Sequence, residues 1–363
     1  MGIIILTRIN QSHPRSSINP LETVMLGSFY PAEFFKDVKN NRIRSALTRI
    51  ADEEAEDNAH FERVLQEHGV RVLRPQLESD SIMNHIDHQG RMGEPFANSL
   101  YAIPRAPIAP RDCQFVLGNH LFCTQYWDHP GIMQSLEKYN MNIVHLTEVP
   151  IDAPCYTVVN DLLLIDTDIS KHNHTVPRDP ELIKNMQMDI DENIDRNIQT
   201  ITDLYPDMQV QQIKIGAHND GCFHTVAPGA IISVEDMDIY QNTFPNWEVC
   251  YMPDEDWSGV KKFVEHKVSL KKSWWLPGEE DNDEFTHFVE TWLQDWVGYA
   301  DETVSAVNVL MINPKTCCTV NATSDMKQFM KKHGIDCVDI PNRHRFILDS
   351  GLHCKTLDLK RKS

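Results

Sequence analysis

The sequence predicts an α/β fold of five ββαβ units closed around one axis, a five-bladed α/β propeller with pseudo-fivefold symmetry. Three observations predict it. A helix–stop–strand pattern recurs five times along the 363 residues. A two-strand hairpin pattern precedes it in four of those places. A strand-like run near the C-terminus supplies what the first unit lacks.

In chain order, "MGIIILTRINQSHPRSS" has a short apolar run without the basic start or long apolar core of a signal peptide, and it reads as a first strand. "LETVMLGSFYP" (Leu21 to Pro31) is a lone strand. "FERVLQEHGVRVLRP" (Phe61 to Pro75) then ends an amphipathic helix, stops at Gly and alternates as a strand closed by Pro. Glu78 to Ala109 is long and Pro-rich toward its end, which suits a loop over one face.

The second unit pairs the hairpin "FVLGNHLFCT" (Phe115 to Thr124) with "IMQSLEKYNMNIVHL", whose strand follows Asn140. The third pairs "YTVVNDLLLID" (Tyr156 to Asp166) with "ITDLYPDMQVQQIKI", turning at Asp207. The fourth pairs "FHTVAPGAIISV" (Phe223 to Val234) with "DIYQNTFPNWEVCYMP", turning at Asn246. The fifth pairs "VNVLMINPKTCCTV" (Val307 to Val320) with "MKQFMKKHGIDCVDIP", which repeats the first unit's plan almost residue for residue. Each helical stripe ends at a Gly, Asn or Asp, residues that tolerate a C-cap or turn conformation.

"FILDSGLHCKTLDL" (Phe346 to Leu359) completes the first unit, with Leu357 and Leu359 alternating with Thr356 and Asp358. So small a unit cannot bury its own apolar face, and the chain 1–363 therefore reads as a single propeller domain. Residues 254–302 form an insertion between the fourth and fifth units. It carries Phe285, Phe288, Val289, Trp292 and Trp296 on one helical stripe, which fits core packing, a partner surface or a lid.

Composition narrows the function. Apolar residues make up 41% and charged residues 24%, an ordinary globular balance. Lys plus Arg number 34 against 53 Asp plus Glu, a formal charge of -19, which argues against a nucleic-acid partner and suits a small cationic ligand. The nine cysteines include no Cys-x-x-Cys, and Cys317 and Cys318 are adjacent, so free thiols in a cytoplasmic, reducing compartment are expected. No apolar run approaches membrane-spanning length. "SKHNHTV" offers His172 and His174 and "NHIDHQG" offers His85 and His88, but no spacing completes a zinc site, and no Gly-rich phosphate loop follows a strand. Neither a metal nor a cofactor is expected.

Ionisable residues collect at equivalent places. Asp112 in "PRDCQFVLGN", Asp152 in "PIDAPCYTVVND", and His218 and Asp220 in "GAHNDGCFHTV" each stand just before a hairpin. Cys354, in the turn "GLHC", stands just before the closing strand. The entry ends of equivalent strands in a closed ring face one end of the axis, so these residues converge on a central active site. A turn thiol alone reads equally as a nucleophile or a small hydrophobe; three Asp, a His and a Cys together do not read as packing.

The chemistry that needs this set is attack of a thiolate on a guanidinium carbon. The charge of that group spreads over three nitrogens, and carboxylates bound to them fix its plane beside the sulfur. The thiolate forms a covalent amidino-cysteine, and a His protonates the departing amine and later takes a proton from the incoming nucleophile. An Asp behind the His sets its tautomer.

On these residues the chain resembles the guanidino-group modifying enzymes of the pentein fold, and within them the glycine amidinotransferase branch. The resemblance runs over nearly the whole chain, from "NPLETVMLG" through "GVRVLRP" and "PRD" to "HND" before "GAIIS", "VNVLMI" and "GLHCKTLDLKR". It implies a five-bladed α/β propeller, Cys354 as nucleophile, His218 as general acid/base, and Asp112 and Asp220 as guanidinium-binding carboxylates. Asp152 becomes the acid behind His218; alignment on Pro-Cys-Tyr would instead put Thr157 in that place. Where the branch has an Arg after a Gly-Pro-Gly turn to hold a substrate carboxylate, this chain has Glu235, Asp236 and Met237 after "APG", which departs from glycine as acceptor.

The expected activity is amidino transfer from arginine or a related guanidino donor to an amine acceptor. Hydrolysis by the same residues, as in arginine deiminases and dimethylarginine hydrolases, is the alternative, and guanidinium binding without turnover is a third reading. A homodimer is compatible with all three.

Overall fold

The computed structural model of the protein describes residues 17–75, 77, 82, 105–124, 130–139, 141–147, 149, 151–168, 180–215, 218–234, 242–252, 262–263, 274–293, 296–297 and 304–362. The N-terminal run read as a strand, most of the Glu78 to Ala109 loop, His85, His88, His172, His174, and Glu235 to Met237 lie outside the described residues.

Five three-stranded sheets carry the fold. The second consists of β3 (Gln114–Leu117), β4 (His120–Cys123) and β5 (Asn142–His145). The third is β6 (Tyr156–Val159), β7 (Leu162–Asp166) and β8 (Gln209–Ile213). The fourth is β9 (Phe223–Ala227), β10 (Ala230–Ser233) and β11 (Glu248–Tyr251), and the fifth is β12 (Leu310–Asn313), β13 (Thr316–Thr319) and β14 (Asp336–Asp339). In each, the first two strands are antiparallel and the third runs parallel to the second. A tight turn can make the antiparallel pair, but the parallel strand needs a crossover, and in the second, third and fifth sheets the helix predicted between strands two and three is that crossover.

The first sheet is assembled from both ends of the chain. β1 (Leu21–Leu26) pairs parallel with β2 (Arg71–Leu73) and antiparallel with β15 (Thr356–Arg361), with Val24 opposite Asp358 and Leu26 opposite Thr356. The five sheets make the five-bladed α/β propeller anticipated from the repeats.

Long crossovers are α1 (Asn41–Glu67) and α3 (Pro180–Leu204); shorter ones are α2 (Pro130–Tyr139) and α5 (Ser324–Lys332). Asn40 caps α1 by accepting from the backbone N–H groups of Arg42 and Ile43, and Thr323 caps α5 through Met326 N–H. Gly69 and Gly334 follow these two helices at φ +78° and +74°, the left-handed conformation that favours glycine, which is why the two copies look alike in sequence. The central strands β7 and β10 are buried throughout, while the outer strands β5, β11 and β14 have exposed ends. Apolar clusters fill the spaces between neighbouring blades, as Leu310 and Ile312 of β12 do against Val24 and Leu26 of β1.

Within the 254–302 insertion, α4 (Asp283–Trp292) buries Phe285 and Val289 against Ile43, Leu47 and Ile50 of α1, together with Phe29, Phe35 and Trp296. Phe288 and Trp292 pack partly buried on the same cluster. The aromatic stripe is core packing in the described part. No described helix is long and apolar enough to cross a membrane.

Candidate active site

The edge strand opposite the crossover side of each sheet is β15, β3, β6, β9 or β12. The residues singled out in the sequence sit on the backbone entering four of them. Asp112 lies two residues ahead of β3 and Cys354 two ahead of β15. Asp152 precedes a 3-10 turn, Ala153–Cys155, that leads into β6. His218 and Asp220 flank the start of a one-turn helix, Asn219–Cys222, that leads into β9.

Hydrogen bonds lock these entry segments to one another around the ring. Arg111 donates through Nε to the carbonyls of His353 (3.0 Å) and Thr356 (2.9 Å), holding the Cys354 turn against the second blade. Asp358, whose carboxyl the neighbouring Arg361 and Arg111 hold well below the usual range against the effect of burial, takes Nη2 of Arg111 at 2.8 Å. Ala153 N–H donates to the Asp112 carbonyl at 3.0 Å, joining blades two and three. The Asn219 amide donates to the Cys155 carbonyl (2.9 Å) and Thr157 Oγ1 (3.0 Å), joining blades three and four. Asn308 donates to the Asp220 carbonyl at 3.1 Å and accepts from His353 N–H at 2.8 Å, joining blade four to five and five to one.

All five expected residues fall in this ring. Cys354 is 5% exposed, and its Sγ lies 3.5 Å from Asp220 Oδ2. The same oxygen accepts from Nδ1 of His353 at 2.7 Å. Asp220 Oδ1 is buried and has no hydrogen-bond partner among the described residues. A buried carboxylate oxygen without a donor is costly, and it calls for a donor from outside the described residues. His218 Nε2 stands 3.2 Å from Asp152 Oδ2. Thr157 is engaged by Asn219.

Burial and neighbouring charges set the charges together, with burial prevailing at Asp112 and Cys354 and the neighbours at His218 and Asp220. Burial pushes the Asp112 carboxyl up to about 6, with Arg105 and His218 pulling down and Asp152 and Asp220 adding to the rise. Arg105 Nη1 reaches Asp112 Oδ2 at 3.4 Å, and its Nη2 donates to the Leu348 carbonyl. Burial alone would depress His218, but the hydrogen bond and charge of Asp152, with Asp112 and Asp220 behind them, hold the imidazole up at about 10. His218 is therefore an imidazolium at neutral pH and donates to Asp152. Asp220 is held well below the usual carboxylate range by the hydrogen bond from His353 and by the charge of His218 and Arg111, which outweigh burial. Burial, then Asp220 and Asp112, push the Cys354 thiol well above its ordinary value, against a hydrogen bond from Asn308.

Residue type and motif do not single out Asn308, although it lies within "VNVLMI". The signal that could have found it is positional. Four units place a polar residue just ahead of the edge strand, and Asn308 stands two residues ahead of β12 in the fifth. Among the described residues no cluster of His, Cys, Asp and Glu could hold a metal.

The architecture is that of solved amidinotransferases. Inosamine-phosphate amidinotransferase from Streptomyces griseus superposes with a TM-score of 0.56 at 14% identity, covering 98% of each chain. An amidinotransferase from Microseira wollei in the saxitoxin biosynthetic pathway does so with a TM-score of 0.58 at 13% identity, covering 97% of each chain. The N-terminal domain of ArgZ, covalently bound to a reaction intermediate, matches at 0.50 and 10% identity over 93% of this chain and 98% of that one. No protein-family model matches the sequence, and no curated protein matches it.

Proposed function

We propose that the protein is a guanidino-group modifying enzyme that transfers an amidino group from arginine or a related donor to an amine through a covalent amidino-Cys354. The observation that carries this reading is the buried, unpartnered Asp220 Oδ1 on a carboxylate whose other oxygen lies 3.5 Å from the Cys354 sulfur. An ionised carboxylate so placed calls for a cation with several N–H groups in a plane, and it would put the carbon of a guanidinium beside the thiol. Asp112 supplies a second carboxylate for the same cation.

In this reading the Cys354 thiolate attacks the guanidinium carbon, making the C–S bond. The tetrahedral adduct collapses as the C–N bond to the donor's amine breaks and His218 gives that nitrogen its proton. An incoming amine then returns a proton to His218, attacks the same carbon and expels the thiolate. Asp152 keeps the imidazole oriented and supports its positive charge. Substrate guanidinium between Asp112 and Asp220 offsets the two charges that raise the thiol, so the nucleophile ionises when substrate is present.

Transfer is preferred to hydrolysis because two of the solved structures that cover nearly all of this chain are amidinotransferases. The test is intact mass spectrometry after incubation with arginine and a mixture of amines, with Cys354→Ala as control. An amidino adduct on wild-type protein and not on the variant, with ornithine and a new guanidino compound as products, is the expected result. Citrulline without a new guanidino compound would make the enzyme a hydrolase. No adduct with any guanidino compound tried would sink the covalent reading altogether.

A further inference from the structure

We propose that Asn308 is the hydrogen-bond donor that stabilises the Cys354 thiolate relative to the thiol, the fifth blade's contribution to the site. The proposal deepens the reading above and rests on it, because it concerns the group that reading makes the nucleophile. Asn308 is fully buried, and every polar atom of its side chain is engaged. Its Oδ1 accepts from the backbone N–H groups of His353 (2.8 Å) and Cys354 (3.0 Å). Its Nδ2 donates to Cys354 Sγ at 3.0 Å and to the Asp220 carbonyl at 3.1 Å.

This pattern permits one amide orientation. Turned over, the side chain would face its NH2 toward two N–H donors and its oxygen toward a carbonyl. The N–H that reaches the sulfur is thus fixed by three other bonds. The turn also wraps the amide closely: a Cβ on Gly351 would lie 2.3 Å from Asn308 Oδ1 and 2.4 Å from its Cβ and Cγ. Glycine is required at 351 because the Asn308 side chain occupies the space.

A hydrogen bond to sulfur is stronger when the sulfur is an anion, so it favours the thiolate over the thiol. The other groups facing the sulfur mostly act the opposite way. Asp220 from the turn before β9, Asp112 from the approach to β3 and Asp349 from the C-terminal segment all raise the thiol, as burial does. His218 faces Asp112 and Asp220, and His353 is bonded to Asp220. Asn308 is the group in direct contact with the sulfur that works for ionisation.

The test reads the thiol and needs no turnover. Wild-type protein is alkylated with iodoacetamide, a neutral reagent, across a pH series, and modification of Cys354 is followed by peptide mass. Cys250 and Cys337, partly exposed thiols in the fourth and fifth sheets, serve as internal references. In Asn308→Asp the two backbone N–H bonds can persist while the donor to sulfur is lost; Asn308→Ser removes the same donor without adding charge. Each should move the Cys354 midpoint upward by about 1 to 2 pH units and leave the reference thiols unmoved. An unmoved Cys354 midpoint in either folded variant overturns the proposal, as does an equal shift at all three thiols.

A measurement on the wild type decides the matter if neither variant folds. The side-chain amide proton resonance of Asn308 should titrate with the same midpoint as Cys354 alkylation, and a resonance flat with pH would also overturn the role. If these midpoints behave as expected and no amidino adduct ever forms, the proposed function fails and the thiol–amide pairing stands. Adduct formation with unmoved midpoints leaves the proposed function standing and removes the pairing.

Discussion

Asp152 and Thr157 compete in the sequence for the place behind His218, and kinetics can separate them. Asp152 Oδ2 is 3.2 Å from the imidazole, whereas Thr157 Oγ1 receives the Asn219 amide. Asp152→Asn should therefore cut kcat by roughly 10³ to 10⁴-fold with little change in KM, because the His loses both its orienting acceptor and the charge that supports it. Thr157→Val should cost far less. The reverse ranking in steady-state kinetics would move the supporting acid elsewhere.

If Asp112 holds the guanidinium as proposed, the pH behaviour of binding follows its carboxyl. With its carboxyl pushed up to about 6, it is neutral below that pH and charged above it. A guanidino ligand should thus bind to Cys354→Ala more tightly as pH rises through about 6, by roughly 1.5 to 3 kcal/mol for one charge-assisted hydrogen bond. Asp220 stays ionised across the same range and adds no step. Calorimetry with Cys354→Ala and with Cys354→Ala/Asp112→Asn checks this: a single variant with flat affinity between about pH 5 and 7, or a double variant with the same slope, refutes it.

At the scale of elements, α1 does more than cross from β1 to β2. Its Glu54 is fully buried and receives Lys355 Nζ at 2.8 and 3.1 Å, with Asn342 Oδ1 completing the ammonium at 2.7 Å. Lys355 directly follows Cys354, so this pair ties the Cys354 turn to a helix in the first blade. Removing one partner leaves the other charge buried and unpaired, which typically costs about 3–5 kcal/mol. Glu54→Leu should lose about that much stability in urea titration, and Glu54→Leu/Lys355→Met should recover most of it. A double variant as unstable as the single one would mean that the damage came from packing rather than from the orphaned charge. The insertion helix α4 leans on the same α1, through Phe285 and Val289, and Arg49 of α1 also meets Glu279 at 2.8 Å.

At the scale of the whole molecule, the ring closes only when the last strand finds the first. β15 carries the antiparallel pairing for β1, and it also carries Asp358 and Arg361, which bond Arg111 in blade two and the Met311 carbonyl in blade five. A chain truncated after Lys355 keeps Cys354 but loses that strand. We expect it to show no cooperative unfolding transition by circular dichroism, since the exposed edges of the first and neighbouring blades have no other cover. A cooperative transition in the truncated protein would show that four blades and two strands of the remaining one suffice.

Much of this architecture was legible along the chain. Hairpins from Phe115, Tyr156 and Phe223 were visible because strand alternation and turn residues are local signals; the one read from Val307 begins only at Leu310, since Val304–Val307 is a helical turn, and the Gly69 and Gly334 stops showed because only a few residues accept a left-handed φ. From the repeat alone, Asp112, Asp152, His218, Asp220 and Cys354 could be assigned to the same end of the ring. What the sequence could not determine was decided across blades. That Asp152 rather than Thr157 stands against His218, that Asp220 keeps one oxygen unpartnered, and that Asn308 clasps Cys354 all depend on atoms brought together from different blades. A hydrogen bond has a reach of about 3 Å, and no pattern of residue types specifies positions that closely; packing five blades against one another does.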